Sequence, residues 1–209
     1  MRILMLGDVV GRPGRKAVQE FLPILLREYN PDLVVANGEN AAGGNGITVE
    51  TADELFSNGI DILTMGNHVW DKKEAFDLLE QDGRIVRPAN YPPNTPGRGY
   101  TLAKTWNDLN EEVKVGIINL SGRVFLPTLD CPFRLGRSLA EKIRTETNII
   151  LVDFHAEATS EKMALGWYLD GTVSAVIGTH THIQTADARV LPNGTAYITD
   201  VGMTGPRDS

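Results

Sequence analysis

The chain has few cysteines, no long apolar runs and few basic residues, which are the features of secreted, membrane and nucleic-acid-binding proteins. Its one cysteine, Cys131, excludes an internal disulfide and fits a reducing compartment. The first apolar stretch ends at Gly7 and Asp8, which is too short for a signal peptide, and no apolar run approaches the length of a membrane span. These absences predict a cytoplasmic protein with no membrane partner.

Basic residues are also in the minority, with 20 Lys and Arg against 27 Asp and Glu and a formal net charge of −7. An extended nucleic-acid surface needs clustered cations that displace counterions, so this balance argues against such a surface. The 209 residues are 42% hydrophobic and 22% charged, which is typical of a globular protein with a sizeable core. We therefore expect a single domain over residues 1–209.

Short apolar runs alternate with stretches of helical periodicity in the first part of the chain. The runs RILML, DLVVA and DILTM are typical of strands, and helical patterns follow them over residues 14–30, 48–57 and 73–79. After Arg87, the segment RPANYPPNTPGRG is too rich in Pro, Gly and Asn for a helix or a central strand, so it predicts a long ordered loop.

The alternation resumes after this loop. Strands are predicted at VKVGIIN, NIILVDF and VSAVIG, and helices at LGRSLAEKIR and SEKMALGWYL. A final hairpin, ARVLPNGTAYIT, is expected to turn at Pro192-Asn193-Gly194. Strands that alternate with helices predict βαβ units, and therefore an α/β protein with a largely parallel sheet.

Histidine is scarce, and all four histidines follow apolar runs. Residues of ligand type stand at the ends of five predicted strands, in the segments Gly7-Asp8, Gly38-Glu39-Asn40, Gly66-Asn67-His68, His155 and Gly178-Thr179-His180-Thr181-His182. Because ligand sites of open α/β sheets lie beyond the carboxyl ends of the strands, these segments are expected to converge. A single histidine after a strand is more often a hydrogen-bonded loop residue, but that explanation would have to hold for all four.

The collected residue types suit a centre of two metal ions. Two carboxylates, three or four imidazoles and several amide carbonyls are too many ligands for one tetrahedral zinc, and they fit two ions of iron, or secondly manganese. Glu39 or Asp8 can bridge the ions. We expect the alternating geometry of an extended segment to send the side chains of His180 and His182 to opposite sides, so that each serves a different ion. A hydroxide held between two metals would be a nucleophile near neutral pH.

Two further features of the sequence have more than one explanation. Asp71, three residues further on, either orients that histidine or is the N-cap of a helix that begins near Lys72. The GGNG segment, residues 43–46, lacks the lysine of a phosphate-binding loop. We therefore expect it to close on the site, with Thr48 capping the next helix.

The ordered motifs resemble those of the metallophosphoesterases of the calcineurin-like superfamily, and within it the YmdB-like branch of bacterial phosphodiesterases. Two departures from the wider superfamily point to this branch. The usual Asp-x-His opening is Asp8-Val9-Val10, without the histidine, and Glu39 stands where the bridging residue is usually an aspartate. The similarity extends to GDVVGRPGR, NGENAAGGNGIT and GNHVWD.

The resemblance implies a four-layer α/β/β/α sandwich with two irons, and hydrolysis of 2′,3′-cyclic nucleotides and related diesters. It also implies His68 as the proton donor and two sets of metal ligands that share one residue, namely Asp8, Glu39, Asn40 and His182 for one ion, and Glu39, Asn67, His155 and His180 for the other. Members of the branch usually continue past MTGPRDS, so a C-terminal segment is expected to be missing.

Alternative functions remain open from the sequence alone. A phosphoprotein phosphatase or a nuclease would use the same type of centre, although the chain is small and lacks a basic track. A regulatory metalloprotein with slow turnover would also keep the ligands. The expected partner is a small phosphodiester or nucleotide substrate, and the sequence leaves open whether the chain forms a homo-oligomer.

Overall fold

The structure is a computed structural model that describes residues 1–106 and 111–206. Its helices are α1 (Gly11–Tyr29), α2 (Val49–Ser57), α3 (Ala75–Gln81), α4 (Pro132–Ile143) and α5 (Thr159–Leu169). Its strands are β1 (Ile3–Leu6), β2 (Asp8–Val9), β3 (Leu33–Asn37), β4 (Ile62–Thr64), β5 (Ile85–Val86), β6 (Tyr100–Trp106), β7 (Glu112–Ser121), β8 (Ile150–His155), β9 (Ala175–Thr179), β10 (Arg189–Val190), β11 (Ala196–Ile198) and β12 (Met203–Thr204). Over the described residues, no helix has both the length and the apolar character that crossing a bilayer requires.

The strands form two main sheets and one short pair. The first sheet has the order β1-β3-β4-β5, and all its strands are parallel. The second has the order β10-β11-β9-β8-β7-β6, in which the outer pairs β10–β11 and β6–β7 are antiparallel and the inner pairs are parallel. Strands β2 and β12 pair with each other in parallel. The prediction of a largely parallel arrangement is confirmed, but the strands are divided between two sheets.

Three apolar cores show how these sheets and helices are layered. On β3, Val34 and Ala36 pack with residues of α1, α2 and α3, whereas Leu33 and Val35 face the second sheet. The alternation arises because successive side chains of a strand point to opposite faces.

The second sheet repeats this alternation. On β7, Val115 and Ile117 belong to the core between the sheets, and Ile118 and Leu120 pack with residues of α4 and α5. Helices therefore cover the outer face of each sheet, and the order of layers is α/β/β/α. The predicted four-layer sandwich is confirmed.

Local predictions agree with the structure where a segment carries a strong pattern. Thr48 caps α2 through a capping box with Thr51, and the hairpin pairs Arg189 with Tyr197 and Val190 with Ala196. No element is predicted for YTLAKTW, which forms the edge strand β6. More residues of this edge strand are exposed than in the central strand β8. Its sequence therefore lacks the continuous apolar run that predicts a buried strand.

The long loop after β5 is ordered by one buried side chain. The guanidinium of Arg87 donates hydrogen bonds to the carbonyl oxygens of Pro88, Thr95, Pro96 and Gly97. Planar guanidinium groups carry five N–H donors, so one arginine can satisfy several carbonyls of a segment that has no sheet partner. The prediction of an ordered loop is confirmed.

Candidate metal centre

The strand ends that carry the candidate ligands meet at one edge of the two sheets. Asp8 begins β2, Glu39 and Asn40 follow β3, Asn67 and His68 follow β4, His155 ends β8, and His180 and His182 follow β9. Parallel strands in both sheets point their carboxyl ends to this edge, which is the reason that residues far apart in sequence come together. The structure brings all eight predicted site residues to this region.

One group of side chains surrounds Asn40. Its amide nitrogen lies 3.2 Å from Glu39 Oε1 and 3.3 Å from His182 Nε2. His182 Nε2 is in turn 3.7 Å from Asp8 Oδ1. This group corresponds to the first predicted ligand set.

A second group surrounds His155. Its Nε2 atom lies 3.1 Å from Glu39 Oε1, 3.0 Å from Asn67 Oδ1 and 3.0 Å from His180 Nδ1. The other ring nitrogen of His180, Nε2, lies 3.0 Å from Glu157 Oε2. Glu157 was not predicted, although its position two residues after His155 could have suggested it. Glu39 belongs to both groups.

The two histidines of the loop 180–182 diverge, but the reason predicted for it, extended geometry, is wrong. Side chains two residues apart in an extended segment share a face, so divergence requires a departure from strand geometry. His180 and His182 both have positive φ, at 100° and 63°. This left-handed backbone directs His180 towards His155 and His182 towards Asp8 and Asn40.

A glycine allows the two groups to approach each other. A Cβ atom on Gly66 would lie 2.3 Å from His155 Nε2 and 2.4 Å from Glu39 Oε2. No side chain fits at that separation, so the tight turn after β4 requires glycine.

The centre concentrates negative charge away from water. Burial alone would raise the pKa values of the Asp8 and Glu39 carboxyls, but the neighbouring His182 and His155 hold them below their ordinary values. Burial likewise opposes protonation of His155, yet the carboxylates of Glu39 and Asp8 raise its pKa to about 9. The side chains of this pocket therefore favour positive charge at its centre.

One buried carboxylate oxygen in this pocket could coordinate a cation. Asp8 Oδ1 is buried and has no hydrogen-bond partner among residues 1–106 and 111–206. A buried acceptor without a partner is costly, and coordination of a cation would remove that cost. Glu39, His155 and His180 also offer ligand atoms that all lie within 4.8 Å of one another. The donor set and its geometry fit a metal site.

A chain of hydrogen bonds supports His155 from behind. Its Nδ1 atom lies 3.0 Å from Thr179 Oγ1, whose hydroxyl donates to Asp153 Oδ1 at 2.7 Å. Asn37 donates to the other oxygen of Asp153. Burial raises the pKa of Asp153 to about 6. None of these supporting residues was predicted, but a carboxylate inside the apolar strand NIILVDF was a usable signal.

His68 is held by contacts of both its backbone and its ring. The backbone N–H donates to Glu39 Oε2 at 2.9 Å, and ring Nδ1 lies 2.7 Å from Asp71 Oδ2. Asn45 donates to the same Asp71 oxygen at 3.0 Å, so the GGNG segment does close against this pair. Helix α3 begins at Ala75, which excludes Asp71 as its N-cap. Of the two roles considered for Asp71, orientation of His68 is the one that this geometry supports.

The chain resembles several known bacterial proteins over nearly its whole length. The model of the YmdB-like protein family matches residues 4–209. The chain is 55% identical over 208 residues to a 2′,3′-cyclic-nucleotide 2′-phosphodiesterase of Bacillus subtilis, and the match covers 100% of this chain and 77% of that protein. It is 38% identical over 214 residues to a putative phosphatase/phosphodiesterase of Mycoplasma genitalium, with 99% and 73% covered.

Several solved structures have a similar fold. A hypothetical protein from Thermus thermophilus is 48% identical, with a TM-score of 0.91 and coverage of 100% of this chain and 79% of that chain. A phosphatase from Mycoplasma pneumoniae is 37% identical, with a TM-score of 0.87 and coverage of 96% and 71%. The calcineurin-like phosphoesterase YfkN of Bacillus subtilis shares the fold, at 11% identity and a TM-score of 0.64 over 93% of this chain and 80% of that chain. The chain therefore belongs to the YmdB-like family and has the fold of the calcineurin-like phosphoesterases.

Proposed function

We propose that the protein is a dinuclear-metal phosphodiesterase whose preferred substrates are 2′,3′-cyclic nucleotides. The observation that carries the proposal is the convergence of seven ligand-type side chains in two groups that share Glu39, with His68 beside them but outside both groups. The substrate class is inferred from the 55% identity to the Bacillus subtilis enzyme named for it. The single cysteine supports a cytoplasmic location for this activity.

The proposed metal ligands form two sets. Asp8, Glu39, Asn40 and His182 would hold one ion, and Glu39, Asn67, His155 and His180 would hold the other. Mixed carboxylate, imidazole and amide donors suit iron first and manganese second. When bound, the ions would lower the pKa of water and neutralise charge on the phosphoryl oxygens.

His68 is proposed as the proton donor to the leaving oxygen. Its Nδ1 atom is engaged by Asp71, so Nε2 is the ring nitrogen that can deliver a proton. The hydrogen bond from its backbone N–H to Glu39 ties this ring to the metal-binding residues. Asp71 keeps the ring oriented, and Asn45 restrains Asp71.

A substrate panel tests the proposal directly. The protein would be stripped with a chelator and reloaded anaerobically with Fe²⁺ or with Mn²⁺. It would then be assayed on 2′,3′-cAMP, 3′,5′-cAMP, bis-p-nitrophenyl phosphate, p-nitrophenyl phosphate, a phosphopeptide and a single-stranded oligonucleotide. We expect metal-dependent turnover that is fastest on 2′,3′-cAMP, and cleavage of the bond to the 2′ oxygen so that chromatography detects 3′-AMP.

Other outcomes would select the alternatives. Faster hydrolysis of the monoester p-nitrophenyl phosphate, together with activity on phosphopeptides, would make the protein a phosphatase. Turnover of a single-stranded oligonucleotide ahead of all small diesters would make it a nuclease. A metal-loaded protein that hydrolyses none of these substrates would be a regulatory metalloprotein.

A further inference from the structure

A buried ion pair lies directly behind the loop 180–182. Lys162, on α5, is 1% exposed, and its Nζ atom lies 2.6 Å from Oδ2 of Asp200, which is 0% exposed. Removing two charges from water costs free energy. The attraction between the charges offsets this cost only when the other polar atoms of both side chains also form hydrogen bonds. The pair is therefore expected to have further partners, and these partners connect it to the candidate metal centre.

The carboxylate of Asp200 binds the residue between the two histidines. Its Oδ2 atom accepts the hydroxyl of Thr181 at 2.7 Å and the backbone N–H of Thr181 at 3.2 Å. Its Oδ1 atom accepts the N–H of Gly202 at 2.7 Å. Asp200 thus has a full set of donors, and two of them come from Thr181.

The loop needs such an anchor because its backbone is strained. The left-handed φ values of His180 and His182 are unfavourable for residues with a Cβ atom. Strained residues keep their conformation only where surrounding contacts impose it. Thr181 is the residue that both strained histidines flank, and Asp200 holds it by two hydrogen bonds.

We propose that Asp200, with its charge balanced by Lys162, is a positioning residue that presets the loop 180–182 for metal binding through Thr181. The inference rests on the proposed metal centre, since His180 and His182 would belong to different ligand sets. Because the loop is already in the conformation that directs the two rings apart, binding of metal needs no rearrangement of its backbone. Partners that orient metal ligands in this way typically account for roughly 10- to 100-fold in metal affinity.

The test removes one hydroxyl and leaves the ion pair intact. Thr181→Val has the shape of threonine but cannot donate to Asp200, whereas Thr181→Ser keeps the hydroxyl. The matched control is Thr195→Val, because the buried Thr195 hydroxyl also makes a 2.7 Å bond, to the carbonyl oxygen of Val173, away from the loop. Each full-length variant would be stripped of metal and titrated with Mn²⁺ by calorimetry, and its melting temperature would be measured without metal.

We expect Thr181→Val to bind Mn²⁺ roughly tenfold or more weakly than the unaltered protein, and Thr181→Ser to restore the affinity to within about threefold. Thr195→Val should melt at a lower temperature without metal yet keep the original affinity. Unaltered affinity in Thr181→Val would overturn the inference alone, as would an equal loss in Thr195→Val. Failure of the unaltered protein to take up Mn²⁺ or Fe²⁺ would overturn the proposed metal centre as well.

Discussion

Glu39 is the residue at which the two groups of candidate ligands meet. Its Oε1 atom contacts Asn40 and His155, and its Oε2 atom accepts the backbone N–H of His68. It is 1% exposed, so its charge is shielded little by water. A single buried carboxylate therefore links both proposed metal positions and the proposed proton donor.

The first prediction concerns the charge of Glu39. Glu39→Gln keeps the size of the side chain and its ability to accept the His68 N–H, but it removes the negative charge that both ions would share. We expect metal content to fall from about two equivalents to below one, with activity lost in parallel. Elemental analysis after anaerobic reconstitution measures this. Retention of both metals with normal turnover would mean that another residue bridges them.

The second prediction separates proton donation from metal binding. Alanine at position 68 keeps the backbone bond to Glu39, so His68→Ala should retain both ions. Turnover of 2′,3′-cAMP should fall by roughly 10²- to 10⁴-fold, because its alkoxide leaving group needs a proton. The loss on bis-p-nitrophenyl phosphate should be much smaller, because nitrophenolate is a stable anion.

The controls for His68→Ala are the metal content and the second substrate. Equal losses on the two substrates would contradict the role of His68 as an acid and would indicate phosphate positioning. Loss of one metal equivalent would make His68 a ligand and would change the assignment of all four histidines.

At the scale of elements, the turn after β4 lets candidate ligands from the two sheets approach each other. Gly66 faces both His155, from the second sheet, and Glu39, from the first. The space for a Cβ atom at this turn is taken by the ligand atoms themselves. The backbone of the turn therefore helps to shape the proposed metal centre, although Gly66 has no side chain to contribute.

The third prediction follows from this close approach. Gly66→Ala should displace Glu39 or His155 and lower metal affinity by roughly tenfold or more, the size of effect seen when ligands are misoriented. Gly194→Ala is the control, because a Cβ at Gly194 meets nothing within 4 Å and its φ of 99° adds only backbone strain. Calorimetric titration with Mn²⁺ compares the two variants. Equal affinity in both would contradict the steric argument.

At the scale of the whole molecule, the proposed metal centre joins the two sheets. Glu39 and Asn67 follow strands of the first sheet, whereas His155 ends a strand of the second sheet and His180 follows another. The apolar core between the sheets holds their facing surfaces together, and the proposed metal ligands meet at the carboxyl edge. Metal binding should therefore stabilise the entire fold.

The fourth prediction is a dependence of thermal stability on metal. A ligand that binds only the folded state at 100 times its Kd adds about 2.7 kcal/mol, which corresponds to a rise of roughly 5–10 °C in Tm for a chain of this size. Calorimetry of the chelator-stripped and Mn²⁺-reloaded protein measures the shift, and Glu39→Gln should lack it. A Tm that does not respond to metal would contradict a centre that bridges the sheets.

The local features of this protein could be read from its sequence because they depend on neighbouring residues. Alternating apolar runs and helical periods predict β3, β8 and α1, and the capping role of Thr48 follows from its place before a helical pattern. The eight candidate site residues were found because each stands at the end of an apolar strand. The common direction of parallel strands then predicts that they meet.

The tertiary structure alone decided which strands share a sheet and which polar groups meet behind the ligands. The alternation predicts parallel strands but not their division into two sheets, which depends on the packing of Leu33 and Val35 against Val115 and Ile117. The contacts of Asp200 with Lys162 and Thr181 join three separate segments, and no periodicity or spacing encodes them. A pattern in sequence records the environment of single side chains, whereas such partnerships arise only when distant segments are packed together.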